Sequence, residues 1–183
     1  MATKQPSRDR TKPRIRKSTV TPWLIGAGIA TLIAVPVVVN VVRSNSLPGQ
    51  KVSSQGNVHI AEVNVDHPPY NSTPPTSGWH AGRIADWGSY DFVVPDELLV
   101  HNMEDGGVIL WYELGTPEEN QGRISRLEEV ARGYDRLVIA PREDLETAFA
   151  MTAWQRLEAF NDFSSERIQA FLEAYEGTDH HAG

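Results

Sequence analysis

Residues 107–141 read GVILWYELGTPEENQGRISRLEEVARGYDRLVIAP. The first eight, opening on the second glycine of the pair Gly106-Gly107, are mostly aliphatic, β-branched and aromatic, which reads as a strand. Thr116 then suits a helix N-cap, Pro117 the first helical position, and Glu118 and Glu119 the positive end of the helix dipole. Ile124, Leu127, Val130 and Ala131 fall on one helical face, and Gly133 supplies a stop after Arg132. RLVIAP, 136–141, reads as a second strand. A strand–helix–strand run of this length implies a right-handed crossover between parallel strands. Strands covered on both faces would account for the unbroken apolar runs GVILWY and LVIA.

Outward from this unit the pattern continues. TAFAMTAW, 147–154, reads as a third strand running on into WQRLEAF. Ser164 opens a last helix whose buried stripe is Ile168, Phe171, Leu172 and Tyr175, and Gly177 ends it. On the N-terminal side HIAEV, 59–63, suits a short strand. Residues 66–97 carry two Pro-Pro pairs and several glycines, which argue for an irregular stretch packed by its own Trp79, Trp87, Tyr90 and Phe92. The expected fold is an α+β (or α/β) two-layer domain over 59–177 with a β-α-β unit, followed by a disordered tail, 178–183.

The chain has 183 residues, no cysteine and a formal charge of −7. Absence of Cys excludes disulfides, thiolate nucleophiles and Cys-ligated zinc or iron–sulfur centres. The average charge conceals an asymmetry. Residues 1–22 hold seven Lys/Arg against one acid, Asp9, while the remaining 161 hold ten against 23. Between tail and body lies WLIGAGIATLIAVPVVVNVV, Trp23 to Val42, 20 residues without a charge. A helix of that length spans about 30 Å, the thickness of a bilayer's hydrocarbon core. Trp23 suits one interface and Arg43 can snorkel to the other. The run is longer than a signal peptide's apolar region, and no A-x-A-like site follows it.

The basic flank places residues 1–22 in the cytoplasm and the domain outside the cell membrane, with residues 43–58 as a flexible linker. Attraction of the tail to anionic lipid explains its charge. With no aromatic residue before Trp23 and no binding fold, nucleic acid is not an expected partner.

Four stretches, NSTPPTSGWH, PDELLVHNMEDGGVILWY, RLVIAPRED and AMTAWQRLEAF, occur in this order over roughly residues 58–176. Together they resemble the bacterial domain of unknown function 3105 family. The resemblance implies a short cytoplasmic tail, one membrane span and an outer domain, and carries no assigned chemistry. Its hallmarks are a PPTSG-x-H stretch and an H-x-x-E-H-G stretch. His80 and His101 match, while Asp105 stands where the pattern has a second His, and Trp79 where it often has Pro.

His80, His101, Glu104 and Asp105 are expected on loops flanking the strand at 107–114. Two imidazoles with carboxylates form a reasonable ligand set for a single zinc, manganese or iron ion. Met103 or Met151 would turn it toward copper. The competing reading has both histidines clamping the Pro-rich loop through backbone carbonyls. Ser77 with His101 and a carboxylate could be drawn as a hydrolytic triad, but no G-x-S-x-G elbow is present. His180 and His181 lie in the tail and carry no expected role. Trp111 and Trp154 suit core packing, whereas Trp79 and Trp87 are candidates for a partner interface.

These readings converge on a non-enzymatic, single-pass membrane protein. Its acidic outer domain would serve as an accessory or binding module for another membrane component. The alternative is a metal-binding outer domain (zinc, copper or iron) that uses His80 and His101, with a hydrolase third.

Overall fold

The computed structural model describes Met1 and residues 47–181. The basic tail, the expected span Trp23–Val42 and the first part of the expected linker lie outside the described residues. Among the described residues no helix is long and apolar enough to cross a membrane. From Leu47 onward the chain forms one unit of mixed α+β structure.

Its centre is a six-stranded sheet. The strands are β1 (Gln50–Lys51), β4 (Gly88–Ser89), β5 (Val108–Glu113), β6 (Leu137–Arg142), β7 (Phe149–Ala153) and β8 (Arg156–Phe160), in the spatial order β1-β8-β7-β5-β6-β4. β2 (His59–Ile60) and β3 (His80–Ala81) form a separate parallel pair. The helices are α1 (Asp96–Glu104), α2 (Pro117–Val130) and α3 (Ser165–Tyr175).

The β-α-β unit is present as expected: β5 and β6 are parallel, in register from Val108↔Leu137 to Glu113↔Arg142. α2 joins them through a reciprocal cap. Thr116 Oγ1 accepts from Glu119 N at 3.4 Å, and Glu119 Oε2 accepts from Thr116 N at 2.9 Å. Such a box satisfies two of the amides that a helix start leaves unpaired.

Side chains alternate across a strand, and β5 uses both faces. Val108, Leu110 and Tyr112 pack with Ile124 and Leu127 of α2 and Ile168, Phe171 and Leu172 of α3. Ile109 and Trp111 pack on the opposite face with Leu98, Leu99 and Met103 of α1 and with Trp154. The sheet therefore lies between two layers, giving three where the sequence suggested two.

Three other expectations are corrected. The run 147–160 is not one strand but the antiparallel hairpin β7–β8, paired from Phe149↔Phe160 to Ala153↔Arg156. Its turn residue Gln155 has φ +60°, with no Gly or Asn to announce it. Long-range bonds hold it there: Gln155 N donates to Thr76 O at 2.9 Å, and Gln155 O accepts from Val52 N at 3.0 Å. From Leu47 on, the expected linker is part of the domain, because β1 pairs with β8. Tyr175 Oη also donates to Pro48 O at 2.6 Å. Finally, the stretch holding His101 and Glu104 is helix α1, not loop.

The cap and the core make separable contributions. Thr116→Ala is expected to cost about 1 kcal/mol of unfolding free energy. Leu110→Ala, at a fully buried position, is expected to cost about 2–5 kcal/mol. Denaturant unfolding measures both, and equal losses would contradict the placement of Leu110 at the centre of the core.

Candidate metal centre

Two unrelated pieces of backbone converge on one point. The parallel β2–β3 pair sets His59 directly opposite His80, reinforced by His80 N donating to Val58 O at 3.0 Å. α1 places His101 and Glu104 three residues apart, hence on one face. One ligand atom from each of His59, His80, His101 and Glu104 lies within 4.8 Å of all the others, an arrangement that could hold a metal ion. His80 and Glu104 form a wholly buried floor, while the His59 side chain remains 47% exposed.

Hydrogen bonding fixes how two of these rings face. His80 Nδ1 lies 2.7 Å from Gly78 O, and His101 Nδ1 lies 2.6 Å from Ala81 O. A carbonyl oxygen only accepts, so in each ring Nδ1 carries the proton and Nε2 is turned elsewhere. A second ring nitrogen fixed on a backbone carbonyl is the arrangement that metal-ligating imidazoles adopt. The expected carbonyl clamps thus exist, and they fix the orientation of both rings.

His80 Nε2 lies 2.9 Å from Glu104 Oε2. With Nδ1 already protonated, a neutral His80 would point a lone pair at a carboxylate oxygen. Either a proton or a cation has to lie in that contact. Burial pushes the His80 pKa down, against the opposing pull of the Gly78 bond and the Glu104 charge; an imidazolium is thereby disfavoured. Glu104 Oε1, also buried, has no hydrogen-bond partner among the described residues. A buried carboxylate oxygen without a partner is costly unless a cation compensates it.

The expected disordered tail is, through its described residues, attached here. Gly177 N donates to Gly106 O and His180 N to Glu104 O, both at 2.8 Å. Gly106 has φ +80°, and a Cβ there would meet the Thr178 backbone at 2.8 Å, so only glycine admits the crossing. His181 Nε2 comes to 3.5 Å from Glu104 Oε2 and 3.4 Å from Asp105 Oδ1.

Other sequence candidates are placed elsewhere. Met103, on α1, is wholly buried in the core with Leu99 and Trp111, and Met151 lies in the core on the opposite face of the sheet. Ser77 Oγ is buried and accepts from Gln55 N at 3.1 Å. Trp87 packs over Gly107, where a Cβ would meet its ring at 2.6 Å; Trp79 is half-buried. Trp111 and Trp154 are core residues, as expected. His59 and His181 were missed. They are separated from His80 and His101 by long stretches of chain, and no spacing motif links them.

A separate cleft of about 600 Å³ is lined by Tyr70, Asp96, Glu97, Arg142 and Asp144 and shares no residue with the cluster. Arg142 lies 2.6 Å from a carboxylate oxygen of each of Asp96 and Asp144. Burial still holds the Asp96 carboxyl above its usual range.

Residues 64–182 match the family described as "Protein of unknown function (DUF3105)". The chain belongs to this family. No curated protein and no solved structure matches it.

Asn102 holds the neighbouring loop in place. Its Oδ1 accepts from Ala85 N and its Nδ2 donates to Ala85 O, both at 2.9 Å and buried. Asn102→Ala leaves two buried backbone groups unpaired and is expected to lower stability by roughly 2–3 kcal/mol in denaturant unfolding. A loss near zero would contradict this role.

Proposed function

We propose that this domain binds one first-row divalent transition-metal ion through His59, His80, His101 and Glu104. We further propose that residues 23–42 tether it to the outer face of a cell membrane. One observation carries the metal reading: a buried imidazole with its Nδ1 proton already committed to Gly78 O meets a buried carboxylate at 2.9 Å. A cation coordinated by both resolves that contact.

Imidazoles with one carboxylate and no thiolate in the chain suit zinc, copper(II), iron or nickel. With His59 half-exposed, an ion held there would be reachable from solvent, unlike one in the closed shell of a structural site. The domain would then act as an accessory module that holds an accessible ion beside a membrane component. The tether is supported by the uncharged run Trp23–Val42 and its basic flank.

Membranes bearing the full chain are expected to retain it through an alkaline carbonate wash. Protein purified from them in mild detergent is expected to carry about one equivalent of metal by elemental analysis. Glu104→Gln, nearly isosteric, is expected to lose that metal and the stabilisation it confers, about 2.7 kcal/mol at a hundredfold excess over Kd. Metal-free wild-type protein, or metal content unchanged by Glu104→Gln, would contradict the ion. Release by carbonate would contradict the tether.

A further inference from the structure

The C-terminal segment brings a fifth group to the cluster. His181 Nδ1 lies 2.9 Å from Asp179 Oδ1, the same oxygen that accepts from the His181 backbone N at 2.9 Å. A carboxylate oxygen accepts both, so Nδ1 carries the proton and Nε2 is left facing Glu104 Oε2 and Asp105 Oδ1. Carboxylate–imidazole–metal is a recurrent outer-shell arrangement, which fixes the tautomer and raises ligand basicity. His80 and His101 are oriented by carbonyls; His181 is oriented by a carboxylate.

Placement of this imidazole does not rest on its ring alone. The segment is fastened at two points upstream, Gly177 N to Gly106 O and His180 N to Glu104 O. The second bond ties the backbone of the tail to the residue whose carboxylate forms the floor of the cluster. The His180 ring lies nearly parallel to Trp154, 6.1 Å between centroids at 21°, and the Trp154 indole stands edge-on to His80 at 6.2 Å. The His181 and His101 ring centroids are 5.9 Å apart, and ligand atoms of His101, Asp105 and His181 all lie within 4.8 Å of one another. The His181 side chain is 43% exposed, on the open side of the buried floor.

We propose that His181 is a further ligand of the same ion, delivered by the segment 178–181, so that metal binding fastens the C-terminal segment over the site. The inference rests on the metal reading above. It joins the four-residue group to a second one, His101, Asp105 and His181, whose ligand atoms also lie within 4.8 Å of one another, through the shared His101; imidazoles and carboxylates together suit a divalent first-row ion of borderline softness. The two half-exposed rings, His59 and His181, are the donors that can be exchanged, while His80 and Glu104 stay fixed. Asp179 is a positioning residue: it holds Nδ1 of His181 and does not reach the ion itself.

Cobalt(II) alone is the probe, added to the full chain in mild detergent, because its visible spectrum reports the donor set and competition with a chelator gives Kd. His181→Ala is expected to weaken binding roughly 10–100-fold and to change the spectrum. Asp179→Asn is expected to weaken binding in the same direction without removing the imidazole. Cobalt(II) is also expected to slow carboxypeptidase digestion of the wild-type C-terminus but not that of His181→Ala. An unchanged Kd and spectrum in His181→Ala would overturn the fifth ligand and leave the four-residue site standing. Failure of the wild-type chain to bind cobalt(II) would overturn both. His181 is exposed and lies outside the core, so loss of folding does not confuse the comparison.

Discussion

Everything at the candidate site depends on one buried contact, His80 Nε2 to Glu104 Oε2 at 2.9 Å. Both side chains are fully excluded from solvent. Burying a carboxylate costs several kcal/mol unless positive charge compensates it, and burial disfavours an imidazolium at His80. A metal ion bound there would meet both requirements at once, taking a lone pair from the imidazole and neutralising the carboxylate. Glu104 Oε1 has no hydrogen-bond partner among the described residues.

The fold is arranged to hold this contact rigidly. α1 carries Glu104 with its other side pressed through Leu99 and Met103 onto Ile109 and Trp111 of the central strand. Gly107 N bonds back to Asn102 O at 2.7 Å, and Trp87 covers the junction, so the end of α1 cannot drift from the start of β5. On the other side, β3 is fixed by pairing with β2 and by Tyr70 Oη donating to Trp79 O at 2.7 Å. The candidate ligands thus sit on short but braced elements, the condition under which a site keeps its geometry.

Legibility in the sequence followed the range of the interactions. The β5–α2–β6 unit was readable because its signals are local: a capping box within three residues, one apolar helical face and two unbroken apolar strands. α1 was not, since nearly all of its residues are buried and its apolar periodicity is blurred by Glu97, Asn102 and Glu104. The β7–β8 turn was hidden because Gln155 is held at positive φ by Thr76 and Val52, far away in sequence. His80, His101 and Glu104 were legible from residue type and family resemblance. His59 and His181 enter only through a two-residue strand pairing and a docked tail, neither of which leaves a local pattern. Asp105 lies beside His181 in space, 3.4 Å from its Nε2.

The most direct measurement is X-ray absorption at the K-edge of the metal that co-purifies with the full chain. A first shell of nitrogen and oxygen at about 2.0–2.1 Å, with the outer-shell multiple scattering of about three or four imidazole rings, is the expected result. A first shell of oxygen alone, without imidazole scattering, would contradict a metal centre built on His80 and Glu104.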